Sequence, residues 1–287
     1  MSVKSTIHTT STKCQYRPAI STVSACRSSS FPLAARTKRV PSHRTPPATC
    51  PPCVPVSTKN VDENRFREHD QWIGNFAARL DQSRPYTTRE FLYLLGKELA
   101  ETSKEDGIVS AAAKAGVPLF CPAIADSSIG IGVADSRRRG ENRLMFDMMQ
   151  DVLEITGIVS DSPATGVIYF GGGTPKNYVQ QTEVVANLMN PGKDGHRYGV
   201  QVVTDAPHWG GLSGCTFEES QSWGKLAKGA KMVNCHCDST IAMPLLVTAL
   251  SEQTELIRKR KAPRYDMGPA LKIQLQRRTP RPARKKT

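Results

Sequence analysis

Residues 1–61 contain no aspartate and no glutamate, only nine lysines and arginines. They also lack any hydrophobic period, being made largely of Ser, Thr, Pro and Arg. Such a segment buries too little apolar surface to offset the entropy of ordering it, so residues 1–60 are expected to be unstructured. The same composition describes an organelle transit peptide. The cytoplasm is therefore the expected compartment, with plastid or mitochondrion the alternative if the segment is a leader. No apolar core of 7–15 residues follows the first basic residue, which argues against a secretory signal.

No apolar run reaches the roughly 18 residues that a membrane-spanning helix needs, so no membrane span is expected. The eight cysteines lack a disulfide or zinc pattern. Cys50-Pro51-Pro52-Cys53 has ligand spacing, but no second pair follows at zinc-finger distance. Cys235-His236-Cys237 is too tight for all three to reach one tetrahedral zinc. No metal is expected, and Cys121 and Cys215 read as reduced, packed thiols. The net charge of +13 suggests nucleic acid until it is mapped. Twelve lysines and arginines stand against Asp266 alone in residues 258–287, whereas residues 62–257 hold 18 basic and 25 acidic residues. The middle is acidic and the basicity lies in two tails, which are expected to be solvated rather than specific nucleic-acid sites.

From about Val61 the composition becomes that of a globular domain, extending to about residue 257. Thr88 reads as the N-cap of a helix whose apolar face is Phe91, Leu92, Leu94, Leu95 and Leu99. A short helix over Ile108–Ala115 ends at Gly116, a good position for a left-handed residue. A further helix is expected from Leu144 to Ile155. Four apolar runs, at 117–121, 167–170, 199–203 and 232–235, read as strands. Helices are expected at about 176–190, 217–228 and 240–251. Strands alternating with helices imply an α/β fold: a Rossmann-like, doubly wound, mostly parallel sheet flanked by helices. Residues 258–287 read as a disordered basic tail.

In open α/β sheets ligands bind where strands end and helices begin. Here those places are Gly171-Gly172-Gly173, Thr204-Asp205, and Asp238-Ser239-Thr240. Glycines after a strand let a backbone approach a phosphate or a ring, and a following helix aims free N–H groups at an anion. A tight turn explains the same three glycines. Lys225 follows Trp223 and Gly224 and lies six residues after Glu219. A lysine partly buried against an aromatic wall loses solvation and becomes a nucleophile for carbonyl or imine carbon. An ordinary surface lysine fits the same pattern. Asp205 and His208 are a candidate acid–base pair, or a turn and a packing residue.

The words Gly-Gly-Gly-Thr-Pro-Lys-Asn (171–177), Thr204-Asp205 to Gly214, Glu219-Ser220-Gln221-Ser222-Trp223-Gly224-Lys225 and Asp238-Ser239-Thr240 resemble the deoxyhypusine synthase family, with its bacterial-type branch the nearest match. The resemblance runs upstream through Asp126 to about residue 62. It implies a homotetramer with shared active sites, or pairing with a full-length paralogue, and NAD as cofactor. NAD would take a hydride from spermidine or a related polyamine. Lys225 would capture the aminobutyl group as an imine and pass it to a lysine of the hypusine-bearing translation factor. Trp223 would pack along the polyamine, Glu219 would pair with an ammonium, and Gly210, Gly211 and Asn177 fall at substrate positions. Gly172, Thr204, Asp205, Asp238, Ser239 and Asp126 fall at NAD positions. Asn177 stands where the family usually has histidine. Ile131 and Leu212 stand where it has acids for the far ammonium, and the Thr-x-Gly-Gly-x-Glu-Glu word of its NAD loop is absent. Those departures keep open a homospermidine-synthase-like transfer to a small amine, and a truncated, non-catalytic paralogue.

Overall fold

The computed structural model describes residues 19–20, 63–192, 194–253, 255 and 263–274. The expectations for the remainder of 1–60 and for 275–287 lie outside the described residues. The chain divides into two compact units.

The smaller unit contains described residues 63–86 and 123–146. Its two helices are α1 (Glu63–Arg79) and α4 (Ser128–Arg138). They pack through small residues: a Cβ at Gly132 would lie 2.4 Å from the Asp70 carbonyl, and one at Gly74 would lie 2.7 Å from the Gly132 carbonyl. That close approach brings Ile73 and Ala77 into a buried row with Ile129 and Val133. The Ser127 hydroxyl caps α4 by accepting from the Gly130 N–H at 3.2 Å.

The larger unit holds residues 87–122 and 147–274 together with strand β1 (Ala19–Ile20). Helix α2 (Thr88–Thr102) is capped one residue earlier than expected, because the Thr87 hydroxyl accepts from Glu90 N–H at 3.0 Å. Thr88 instead uses its hydroxyl to accept from Cys121 N–H at 3.0 Å. Helix α3 (Ile108–Ala115) ends at left-handed Gly116, as expected. Residues 117–121 join no sheet. Pro118 lacks a donor, the Cys121 N–H goes to a side chain, and the apolar run is buried as irregular chain. Helix α5 (Met148–Asp161) begins later than its apolar pattern suggests, since the Asp147 carboxylate caps it through Gln150 N–H.

The remaining elements form the expected α/β sheet. Strands β2 (Thr165–Phe170), β3 (His196–Val202) and β4 (Leu226–Cys235) are parallel neighbours in that order, and β1 lies parallel to the start of β2. Helix α6 (Thr174–Met189) connects β2 to β3, α7 (Phe217–Ser222) precedes β4, and α8 (Ser239–Glu252) follows it. One sheet face carries Val167 and Tyr169, which pack with Phe120, Ile155, Ile158 and Val179.

Within the stretch read as a disordered tail, residues 263–274 are ordered. Strands β5 (Arg264–Asp266) and β6 (Lys272–Gln274) pair antiparallel, and Tyr265, Leu271 and Ile273 pack against the sheet core. The physical reason is that these apolar side chains alternate with the basic ones, a strand pattern hidden in the overall charge. Among the described residues no helix is long and apolar enough to cross a membrane.

Candidate active site

The turn after β2 sets the site. Gly171 and Gly173 have φ of +77° and +78°, a region that L side chains avoid. Gly172 between them lies so close to the 212–214 turn that a Cβ there would sit 2.5 Å from Ser213 Cα. Gly173 then starts α6 without a side-chain cap, leaving the first N–H groups of a 16-residue helix free to face an anion. A Cβ at Gly171 would meet nothing within 4 Å, so the outer side of the turn is open.

Lys176, on the first turn of α6, shapes this turn and was not singled out by sequence reasoning. It is 3% exposed. Its ammonium donates to the carbonyls of Leu212, Ser213 and Cys215 at 3.3, 3.2 and 2.8 Å. Burial holds its pKa below the usual lysine value. A cation at a helix N-terminus opposes the helix dipole; that misplaced charge is the signal that it must find acceptors elsewhere. With Gly172 it fastens the 212–215 turn over the start of α6.

Asn177, next in the chain, accepts from Lys225 Nζ at 2.9 Å. Lys225 is not on a helix, as the sequence reading had it. Helix α7 stops at Ser222, and Gly224 takes a left-handed conformation. Lys225 therefore enters β4, its carbonyl accepting from His196 N–H at 3.2 Å. Its side chain reaches back to α6, with Nζ 5.8 Å from the Trp223 ring centroid. The indole is 68% exposed, so the aromatic wall is present but wet on its outer side. Helix α7 is tied to α6 where Gln180 Nε2 donates to the Ser220 hydroxyl at 2.9 Å, both side chains buried. Glu219 is exposed. The nearby Cys215 thiol donates to the Thr216 carbonyl at 3.7 Å, and its pKa is raised chiefly by burial.

The other candidates are held by local contacts with neighbours in the chain. Thr204 and Asp205 follow β3, and Asp205 Oδ1 accepts from Ala206 N–H at 3.0 Å. Its other oxygen lies against Gly211, where a Cβ would be 3.0 Å away. Gly210 is exposed beside it, in a left-handed conformation. His208 does not bond Asp205 among the described residues; its ring lies against Trp209 at a tilt of 46°, with centroids 4.6 Å apart. Asp238 caps α8, accepting from both the N–H and the hydroxyl of Thr240, and Ser239 is the first residue of that helix. Asp126 ends a short 3-10 turn, Ile124–Asp126, in the smaller unit. The structure thus joins Lys225, Asn177 and Trp223 through contacts, and brings Gly172 and Lys176 onto the neighbouring turn.

The larger unit is a parallel α/β sheet whose glycine turn after β2 leads into α6, with the Lys225 amine held by Asn177 beside the Trp223 indole. The comparisons are more specific. The profile of the deoxyhypusine synthase family matches residues 59–250. The chain is 50% identical over 202 residues to "Probable deoxyhypusine synthase 2" of Methanosarcina mazei, covering 70% of this chain and 58% of that protein. It is 47% identical over 204 residues to the protein of the same name from Archaeoglobus fulgidus, covering 71% and 65%. It is 36% identical over 208 residues to "Deoxyhypusine synthase-like protein" of Elusimicrobium minutum, covering 71% and 54%. The chain belongs to the deoxyhypusine synthase family. These archaeal relatives are nearer than the bacterial ones, which corrects the expected branch. The chain spans between about half and two thirds of the length of these relatives.

Proposed function

We propose that this chain carries the lysine-bearing part of an NAD-dependent aminoalkyl transferase acting on spermidine or a related polyamine. The observation that carries this reading is the position of Lys225 Nζ, 2.9 Å from a neutral carboxamide acceptor and beside an indole. Asn177 holds the amine through a neutral carboxamide, without giving it a counter-charge. The Trp223 face suits a polyamine ammonium or its methylene chain, and exposed Glu219 offers a carboxylate to a second ammonium.

The residues also fit a dinucleotide. The open side of Gly171, the uncapped start of α6 and the acid Asp205 at the end of β3 are the chemistry that a pyrophosphate and a ribose ask for. Gly172, Thr204, Asp205, Asp238 and Ser239 would hold it. When bound, NAD would accept a hydride from the amine-bearing carbon and later return it. Lys225 would attack the resulting imine carbon, the bond from that carbon to the departing amine would break, and the departing nitrogen would leave with a proton. A lysine of the hypusine-bearing translation factor would then displace Lys225. Gly210 and Gly211 would line the substrate side, and a homo-oligomer would complete the site.

Incubation with NAD and labelled spermidine, followed by borohydride, tests the reading. The expected outcome is label on Lys225 and none in Lys225→Arg. Label on another residue, or none in the wild-type chain, overturns it.

A further inference from the structure

Lys225 is held at three atoms, and each hold leads back to α6. Its Nζ donates to Asn177 Oδ1 at 2.9 Å, and Asn177 is on that helix. Its backbone N–H donates to the Ser220 carbonyl at 3.1 Å, and the Ser220 hydroxyl accepts from Gln180 Nε2 at 2.9 Å. Its carbonyl accepts from His196 N–H at 3.2 Å. The His196 ring is fixed in turn through Nδ1, which lies 2.8 Å from both Glu183 Oε1 and Thr165 Oγ1. The Thr165 hydroxyl donates to the same Glu183 oxygen at 2.7 Å. Asn177, Gln180 and Glu183 are spaced by three, so they form a single ridge along α6. One ridge thus braces the amine, the N–H and the carbonyl of one lysine.

The ridge is polar where packing alone would make it apolar. Gln180, Glu183, His196 and Ser220 are each no more than 2% exposed. They are buried by their own chain, so nothing that covers the sheet elsewhere changes their contacts. A buried carboxylate–imidazole pair is weak evidence of stabilisation, because apolar residues of similar volume often serve as well or better. What such groups add over leucine is one fixed arrangement. The residue whose backbone that arrangement fixes is Lys225. A misplacement of about 1 Å can cost a reacting group on the order of 100-fold in rate, so a backbone brace matters as much as the contact at Nζ.

We propose that Gln180 and Glu183 are positioning residues for Lys225, acting through Ser220 and His196 to hold its backbone while Asn177 holds its amine. This rests on the reading of Lys225 as the amine that takes the aminoalkyl group. It extends that reading to two residues of α6 beyond the Gly-Gly-Gly-Thr-Pro-Lys-Asn word.

The experiment uses the full chain and has two readouts. The first needs neither NAD nor polyamine: trace acetylation with acetic anhydride, with Lys225 read against exposed Lys228 in the same digest. Released from Asn177 and the indole, Lys225 should acetylate at least about threefold faster relative to Lys228 in Gln180→Leu, Ser220→Ala and Glu183→Leu. Gln180 acts through Ser220, so combining Gln180→Leu with Ser220→Ala should move the ratio no further than the larger single change. Glu183→Gln keeps an acceptor for Thr165 and His196 and should restore the wild-type ratio. The second readout is borohydride trapping of labelled spermidine in the presence of NAD. Its maximal rate on Lys225 should fall about tenfold in Gln180→Leu and Glu183→Leu, at an unchanged half-saturating spermidine concentration. An acetylation ratio that is the same in every variant overturns the inference. So do additive effects of Gln180→Leu and Ser220→Ala, a Glu183→Gln ratio equal to that of Glu183→Leu, or an unchanged trapping rate in both leucine variants. If Glu183→Leu does not fold, the Gln180 and Ser220 variants decide. Absence of label from wild-type Lys225 overturns the proposed chemistry instead, and acetylation then judges the brace by itself.

Discussion

Lys225 Nζ donates to Asn177 Oδ1 at 2.9 Å, joining the entry of β4 to the first turn of α6. Asn177→Leu removes the acceptor while keeping the bulk. A hydrogen bond to a charged group contributes about 1.5–3 kcal/mol, and water recovers part of it at a half-open site. Borohydride trapping on Lys225 should therefore fall by about tenfold, a loss of about 1.4 kcal/mol in positioning. Asn177→Asp should keep the contact but stabilise the ammonium, moving the pH profile of trapping toward higher pH. An unchanged profile in the aspartate variant would show that Lys225 reacts from another position.

Lys176 offers a second test on the same turn. Lys176→Met fills the volume but leaves three carbonyls of residues 212–215 without their donor. Each buried polar group left unpaired costs about 1–3 kcal/mol, and part of this turn can reach water. The expected loss is about 2–4 kcal/mol in denaturant unfolding, with faster amide exchange confined to residues 211–216. Equal exchange throughout the chain would mean that the lysine stabilises the fold in general and does not pin the turn.

The parts of this chain that the sequence reveals are those with local causes. Alternating strands and helices announce a parallel sheet, and Gly116 marks the end of α3 through its backbone freedom. Lys225, Trp223 and Asn177 are visible as words in a family pattern, yet their relation in space is not. The helix expected over 217–228 ignored Gly224, whose left-handed conformation follows the end of α7 and leaves Lys225 in the bend just before β4. Lys176 is silent for a different reason: its acceptors are carbonyls some 40 positions away, and carbonyls carry no sequence signature. Val117–Cys121 is equally ambiguous, because an apolar run is the same whether it joins a sheet or a core. Arg89, a charged residue on the first turn of α2, is fully buried by partners 65 and 180 positions distant, which no local pattern announces.

Asp151 gives a pH dependence. It is buried and accepts from Thr88 N–H at 2.8 Å and Arg89 N–H at 3.2 Å. Burial dominates those bonds and raises its pKa to about 6. The folded state thus holds this proton more tightly than the unfolded chain, whose aspartates titrate near 4. The contribution of Asp151 to stability is fully present below about pH 4 and is lost as pH rises from about 4 to about 6, a difference of about 3 kcal/mol. Asp151→Asn should flatten that slope. It should also lower stability at every pH, because the amide presents N–H to a backbone N–H. Chemical denaturation at pH 4.5, 6 and 7.5 measures both effects, and a slope that survives the substitution would assign the titration to another group.

Arg89 and Glu154 decide whether residues 263–274 stay docked. The guanidinium bonds both Glu154 oxygens at 2.8 Å and donates to the carbonyls of Met267, Gly268 and Pro269. Glu154 in turn accepts from Leu271 N–H at 3.1 Å. The ion pair is thus also the latch of the β5–β6 hairpin. Arg89→Met strands a buried carboxylate and three carbonyls, for a loss of about 3–5 kcal/mol. The double variant Arg89→Met with Glu154→Leu removes the stranded charge, so it should recover part of that loss rather than add to it. Both variants should lose amide protection in residues 263–274, since neither retains the carbonyl contacts. If protection there survives in the double variant, Tyr265, Leu271 and Ile273 hold the hairpin by packing alone. The buried pair would then contribute only to α2 and α5.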